Sequence, residues 1–342
     1  MTFSVSLVGC GAVTELGHLP AVASSDLATP TILVDKNLTR AQQLARQFNV
    51  PYATDDYSEV FGKADAAIIA LPHYLHAPVS IELLKRGIHV LVEKPMALNV
   101  AECDAMIGAA RQSGATLAVG IVRRFLPSYQ FVKTLIDSGF LGRISSFDIR
   151  EGFVYNWPVA SDFFFRKETA GGGVLIDTGA YTMDMVQWWF GDCRSLEYLD
   201  DSMGGVEADC EIHLEMESGA RGYIELSRTR NLRNTIVVQG EKGSIEMSLH
   251  SPAISILLKD SCQKLTGHVL EKDAIKPASN SLAELLKAEL EDWVEAIINK
   301  RQPRVPGEEG RKSIALIEAC YKNRKPLEFP WLQPIVTEDI KQ

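Results

Sequence analysis

Short apolar runs alternate with amphipathic stretches through the first third of the chain. Phe3–Val8 is mostly apolar, as a strand buried on both faces would be. Further runs of this kind occur at Thr31–Val34, near Pro51–Ala53, and at Ala66–Leu71, His89–Glu93 and Thr116–Gly120. Helical composition fills the gaps at Arg40–Phe48, Ser58–Phe61, Ala77–Arg86 and Ala101–Ser113. A short helix after the first strand gives way to a second at Pro20, a residue suited to a first helical turn. Strands separated by helices predict an α/β unit with a doubly wound parallel sheet, whose ligands sit at the carboxyl ends of the strands.

The pattern changes from about Arg123. Ser145–Gly152 reads as a strand, and between Asp209 and Met216 the chain alternates strictly. Cys210, Ile212, Leu214 and Met216 share one face, while Asp209, Glu211, His213 and Glu215 share the other. Gly219–Ser227, Arg233–Gly240, Gly243–Leu249 and Ala253–Leu258 continue as strands of an antiparallel run. One face of such a sheet buries helices, and the other is broad enough to be a dimer surface. Ser281–Asn299 carries an apolar stripe of Leu285, Leu286, Leu290, Trp293 and Ile297. Gly307–Tyr321 reads as a final helix, Leu327–Trp331 as a closing strand, and Trp188-Trp189-Phe190-Gly191 as core packing. The expected organisation is two domains, 1–122 for a dinucleotide and 123–342 for substrate binding and oligomerisation. The second is α+β, with a large, mainly antiparallel open sheet. A length of 342 residues accommodates two cores.

The candidate chemistry lies at predicted strand ends. Phe3–Val8 stops at Gly9-Cys10-Gly11-Ala12-Val13-Thr14. Gly9 permits a tight turn and Gly11 lets a pyrophosphate approach the backbone at a helix amino end; Thr14 replaces the fingerprint's third glycine. Asp35, ending the second strand, is placed to accept from the ribose hydroxyls and favours NAD, although it can equally cap a turn. Lys36 beside it can meet a ribose phosphate, which leaves NADP open. Leu71-Pro72-His73, Glu93-Lys94-Pro95 and the stretch from Gly120 to Arg124 fall on the same edge. His76 is placed to contact the cofactor's ribose or nicotinamide, or else is a solvated loop residue.

Lys94 stands at a strand's carboxyl end, and Asp177 and Tyr181 lie four residues apart after Gly171-Gly172-Gly173. That spacing puts both side chains on one helical face. Oxidising an alcohol requires removal of its hydroxyl proton, and the reverse reaction requires its return. Tyr181 can carry the proton, Asp177 can orient the hydroxyl, and Lys94 can hold the reacting oxygen. Partial burial and nearby positive charge are expected to lower the Lys94 pKa. A cis bond before Pro95 is left open. Trp157 and Arg166, in the segment before the glycines, are expected to wall the pocket, Trp157 stacking on a sugar face and Arg166 binding a hydroxyl or carboxylate. The alternatives are a hydrophobic plug and a surface arginine.

These pieces resemble the glucose-fructose oxidoreductase, inositol dehydrogenase and MocA (Gfo/Idh/MocA) family. The likeness rests on Gly9-Cys10-Gly11-Ala12, Ile69 through His76, Val92-Glu93-Lys94-Pro95, Arg124-Phe125, Leu141-Gly142-Arg143-Ile144, and Gly171 through Tyr181, which run in family order. It implies a Rossmann domain followed by an α/β domain with a large open sheet. NAD or NADP and sugar, cyclitol or related polyol substrates are implied too, as is a homodimer or homotetramer through the second sheet. The resemblance places Lys94 and Asp177 in the substrate site. The expected cofactor site comprises Gly9, Cys10, Gly11, Ala12, Val13, Asp35, Lys36, Leu71, Pro72, His76, Glu93, Lys94 and Arg124. The position of Tyr181 is usually histidine in the family. Tyrosine occurs there in the glucose-fructose type, in dihydrodiol dehydrogenases and in some sugar ketoreductases. Its higher reference pKa suits proton donation to a carbonyl, which turns the reading from inositol oxidation towards ketoreduction or tight cofactor cycling.

A net charge of −9 argues against nucleic acid as a partner. Six cysteines without paired spacing point to the cytoplasm. No basic leader precedes the first apolar run, no apolar run reaches membrane-spanning length, and no histidine spacing suggests a metal. Two rival functions share the scaffold: a hydride-borrowing glycosidase that retains its NAD, and a non-enzymatic NAD(P)-binding regulator.

Overall fold

The computed structural model describes residues 2–158, 162–260, 263–269 and 281–328. Six strands form the first sheet: β1 (Phe3–Val8), β2 (Ala28–Val34), β3 (Tyr52–Thr54), β4 (Ala66–Ile69), β5 (His89–Glu93) and β6 (Leu117–Gly120). Their order is β3-β2-β1-β4-β5-β6 and every pairing is parallel. The order reverses between β1 and β4, which makes the loops after these two strands the natural ligand crevice. The helices between them are α1 (Leu19–Ala23), α2 (Leu38–Phe48), α3 (His76–Lys85) and α4 (Val100–Ser113). The expected break at Pro20 is a change of pitch instead. The helix runs from Ala12, widens into a π turn over Thr14–His18 and continues into α1, with Pro20 in its first turn.

After α5 (Pro127–Asp137) the chain enters a nine-stranded sheet. Its strands are β7 (Ile144–Gly152), β8 (Cys193–Asp200), β9 (Asp209–Met216), β10 (Arg221–Ser227), β11 (Thr235–Gly240), β12 (Gly243–Ser248), β13 (Ala253–Leu258), β14 (Gln263–His268) and β15 (Arg324–Pro326). The order is β14-β13-β12-β11-β7-β10-β9-β8-β15, antiparallel except where β10 meets β7 and β15 meets β8. The α/β-plus-open-sheet architecture follows the sequence pattern. The alternation of β9 holds from Cys210 to Met216, with Cys210, Ile212, Leu214 and Met216 buried, while Asp209 at its start is buried as well and pairs with Arg230. On this buried face Phe147 stacks against Phe190, with centroids 4.2 Å apart.

Three short helices, α6 (Lys167–Ala170), α7 (Val174–Asp177) and α8 (Gly179–Phe190), carry the second motif to that face. The opposite face is polar: Arg150 pairs with Asp148 and Glu225, and His213 packs against Tyr223. The closing strand differs from expectation. It is β15, three residues earlier, because backbone pairing with β8 and the ion pair of Arg324 with buried Asp200 at 2.6 Å fix Arg324–Pro326. Residues 329–331 of the expected strand, and Cys262, lie outside the described residues.

The last two helices tie the sheets together. In α9 (Leu282–Ile298), Leu290, Trp293 and Val294 join Val5, Leu7, Leu33 and Leu91 of the first sheet in one apolar cluster. In α10 (Gly307–Lys322), Ile314, Leu316 and Ile317 belong to the larger cluster spanning both sheets. Chain order therefore does not map simply onto space: the 123–342 segment supplies one cover of the first sheet. Among the described residues no helix is long and apolar enough to cross a membrane.

Candidate active site

The loop after β1 can be built only with glycine at its first position. Gly9 has φ +103°, and a Cβ there would lie 2.2 Å from the carbonyl oxygen of Ala70 on the neighbouring strand end. Gly11 differs: a Cβ on it would meet nothing within 4 Å, so the backbone is open to a ligand. Ala12 and Val13 begin the helix, whose first-turn amides have no intrahelical carbonyl to reach and so favour an anion. Thr14 replaces the third glycine without cost, because its buried hydroxyl donates to the Gly9 carbonyl at 2.7 Å.

Asp35 has two tasks. Its Oδ2 accepts from the Cys10 amide at 2.8 Å and its Oδ1 from the Asn37 amide at 2.8 Å, so it braces the glycine loop while presenting its charge there. Lys36 is exposed, and Arg40 donates from Nε to the Cys10 carbonyl at 3.2 Å. An open glycine, a free helix amino end and an acidic β2 terminus together fit a dinucleotide.

The β4 and β5 ends supply the next layer. Leu71 and Pro72 are half-buried at the β4 end. His76, expected against the cofactor, is instead 1% exposed. Its Nδ1 lies 2.7 Å from the Pro95 carbonyl and its Nε2 2.8 Å from the Leu71 carbonyl, so the ring splices two strand ends. Glu93 binds His18 Nε2 at 2.7 Å through Oε1 and accepts from the Lys94 amide at 3.1 Å through Oε2. The π turn brings His18 to this carboxylate, a contact that no local sequence signal announces. Arg124 is also committed elsewhere. Its guanidinium holds Asp184 at 2.7 and 2.8 Å and Glu309 at 2.9 Å, which joins α8 and α10 to the β6 end. Both placements share a cause: buried polar groups must find partners, and these side chains find them in the scaffold.

Lys94, Asp177 and Tyr181 come together. The Lys94–Pro95 bond is cis. Lys94 Nζ donates to Asp177 Oδ1 at 2.8 Å and to the Asp177 carbonyl at 3.1 Å, and lies 4.9 Å from the centre of the Tyr181 ring. The helix is divided at Thr178 between α7 and α8, but Thr178 keeps helical dihedrals, so the four-residue spacing still delivers both side chains to one ammonium. Arg123 closes the other side, 4.7 Å from the Tyr181 ring and paired with buried Glu151. Tyr181 also packs with Val13 around Ala21, Val122 and Leu286, which joins the glycine loop to the site.

The electrostatics reverse one expectation. Burial presses the Lys94 ammonium down, but the Asp177 carboxylate, through its charge and its hydrogen bond, outweighs it and lifts the pKa above the ordinary lysine value. Burial would raise the Asp177 carboxyl, yet Lys94 holds it below the usual carboxylate range. Burial drives the Tyr181 hydroxyl well above an ordinary tyrosine, and Lys94 offsets only part of that. At neutral pH the set is an ammonium, a carboxylate and a protonated phenol.

The wall carries two residues that sequence reasoning missed. Glu207 is fully buried and accepts through Oε1 from the Gly173 amide at 2.9 Å, the Leu175 amide at 3.0 Å and the Tyr321 hydroxyl at 2.8 Å. It therefore caps the helix that ends in Asp177. A Cβ on Gly173 would lie 1.8 Å from the Glu207 carbonyl oxygen, which explains a glycine at that point. The second is Arg228, whose guanidinium lies 3.6 Å from Asp177 Oδ2 and 5.3 Å from the Tyr155 ring centre. Arg166, given a binding role by sequence reasoning, is a surface residue paired with Asp162 one turn earlier. Trp157 is 39% exposed, and the ring of Phe164 packs against His73 and Tyr155.

Comparison with known proteins bears on both halves of the chain. Residues 3–121 match the family described as an oxidoreductase family with an NAD-binding Rossmann fold, and residues 133–328 match its C-terminal alpha/beta domain. Trans-1,2-dihydrobenzene-1,2-diol dehydrogenase of Mus musculus is 29% identical over 278 residues, which cover 79% of this chain and 80% of that protein. Levoglucosan dehydrogenase of Pseudarthrobacter phenanthrenivorans is 26% identical over 71% of this chain and 72% of its own. A solved levoglucosan dehydrogenase, in complex with NADH and levoglucosan, superposes with a TM-score of 0.84 at 22% identity, covering 94% of this chain and 98% of that one.

Proposed function

The chain belongs to the Gfo/Idh/MocA family of NAD-binding oxidoreductases, and on that premise we propose that it moves a hydride between NAD and a hydroxyl-bearing carbon of a sugar, cyclitol or related polyol, or the corresponding ketone. The observation that carries this reading is the convergence of Lys94 Nζ on Asp177 Oδ1 at 2.8 Å, over the Tyr181 ring, at the carboxyl end of β5. NAD supplies the hydride acceptor, and its reduced form the donor.

Reduction of a carbonyl needs a proton at the oxygen as the hydride reaches the carbon. Tyr181 holds that proton at neutral pH, since burial keeps its phenol protonated. Lys94, cationic beside Asp177, stabilises the negative charge that develops on the oxygen. Asp177 fixes the ammonium through Oδ1 and can orient a neighbouring hydroxyl. The protonation states favour the reductive direction, and the dihydrodiol and levoglucosan relatives support a polyol-type substrate. The proposal also places the enzyme in the cytoplasm as a homodimer or homotetramer, joined through the open face of the second sheet.

Steady-state turnover at 340 nm tests the roles. Lys94→Met is expected to lower kcat for sugar ketones by about 10²–10⁴-fold, with NADH affinity retained. Turnover equal to the parent enzyme would remove Lys94 from the mechanism.

A further inference from the structure

Arg228 leaves β10 in the run Ser227-Arg228-Thr229-Arg230, and its side chain is 8% exposed. A guanidinium carries five N–H donors. Among the described residues none of them makes a hydrogen bond, and Nε is buried without a partner. Among the described residues the only carboxylate within ion-pair range is Asp177, at 3.6 Å, too long for a hydrogen bond. That carboxylate is already engaged, because its other oxygen holds Lys94 at 2.8 Å. Two cations thus share one anion. Nearby groups do not supply the missing charge. Tyr155 offers Arg228 the face of its ring, and His73, the other polar side chain beside Asp177, is a neutral imidazole. Glu93 is spent on His18.

A buried guanidinium with unspent donors is costly unless something completes it. Scaffold arginines in the same structure show the contrast: Arg124 and Arg123 each satisfy a carboxylate through two nitrogens. Arg228 is the exception, and it stands one carboxylate away from the ammonium assigned to the reacting oxygen.

We propose that Arg228 is the anion anchor of the substrate pocket, and that the preferred substrate is a sugar acid whose carboxylate docks on Arg228 while its reacting carbon–oxygen bond lies at Lys94. This rests on the reading of Lys94, Asp177 and Tyr181 as the reacting site. The planar fork of a guanidinium matches a carboxylate in a way that a single hydroxyl cannot. Arg228 thereby takes the part that sequence reasoning gave to Arg166, which spends its charge on Asp162.

The test is calorimetric binding to the NAD-loaded enzyme of D-glucuronate against D-glucose, and of D-gluconate against D-glucitol. At least one acid should bind about 10-fold or more tighter than its neutral counterpart. Arg228→Gln should erase that difference, while Arg228→Lys should keep part of it. Equal affinity of acids and neutral counterparts in the wild-type enzyme, or a preference that survives Arg228→Gln, would overturn the proposal; the first comparison needs no variant. Turnover of the same panel at 340 nm is read separately. An acid that binds through Arg228 but never turns over, where a neutral counterpart does, would leave the anion anchor standing and overturn the assignment of a sugar acid as the substrate.

Discussion

Burial decides the chemistry of single side chains around this pocket, and His73 shows it most simply. The ring is 4% exposed, Nδ1 lies 2.8 Å from the Ala170 carbonyl, and burial holds its pKa down to about 3. The unfolded ring takes a proton near pH 6.5, whereas the folded one does not. Its contribution to stability is therefore complete above about pH 6.5 and is lost as pH falls towards 3, at up to about 1.4 kcal/mol per pH unit. Urea midpoints at pH 7 and pH 5 should show the parent losing about 2 kcal/mol more than His73→Gln over that interval; equal losses would contradict the assignment. Residues of this scale were legible unevenly. Lys94, Asp177 and Tyr181 sit in local motifs whose residue types declare their chemistry. Arg228, Glu207 and His18 act across distances in sequence that no local pattern encodes, and Arg166 stayed open between a ligand and a surface arginine because residue type does not say which way a side chain points.

Elements were legible where one face is buried and the other wet. The alternation from Asp209 to Met216 reproduced β9 to the residue, because its two faces meet opposite environments. The strand β14 is exposed along its whole length, so no apolar pattern marks it; pairing with β13 is what holds it. The strand β8 pairs with β9 although Arg194, Ser195 and Glu197 on it are exposed, and it too escaped notice. The glycine segment before Asp177 owes its composition to contact. Gly173 lies against the Glu207 backbone, and Glu207 fixes the following turn. Gly173→Ala must shift that turn and move Asp177 off Lys94. We expect a loss of about 1–3 kcal/mol in stability together with a fall in kcat. A variant with wild-type kcat would show that the turn does not position Asp177.

At the scale of the whole molecule, the two sheets and the doubly wound order were readable from strand–helix alternation, but not the path of the last helices. The stripe on Ser281–Asn299 announced an amphipathic helix without saying which sheet it covers. It returns to the first, burying Trp293 against the face that carries Val5, Leu7 and Leu91. A fragment of residues 1–122 would expose that face to water. It should lack the cooperative urea transition of the full chain, and Trp293→Ala in the full chain should cost about 3–5 kcal/mol. A fragment that unfolds cooperatively would show that α9 is dispensable to the first sheet. The same packing sets the glycine loop beside Tyr181, so the account turns on hydride transfer across that junction. Its most direct test supplies NADH deuterated at its transferable nicotinamide position, with a panel of sugar ketones and keto acids, and follows the label by mass spectrometry. The account predicts deuterium on the new carbinol carbon with the wild-type enzyme, and transfer about 100-fold or more slower in Tyr181→Phe with NADH affinity unchanged. No label in any product, or label arriving equally fast in Tyr181→Phe, would contradict it.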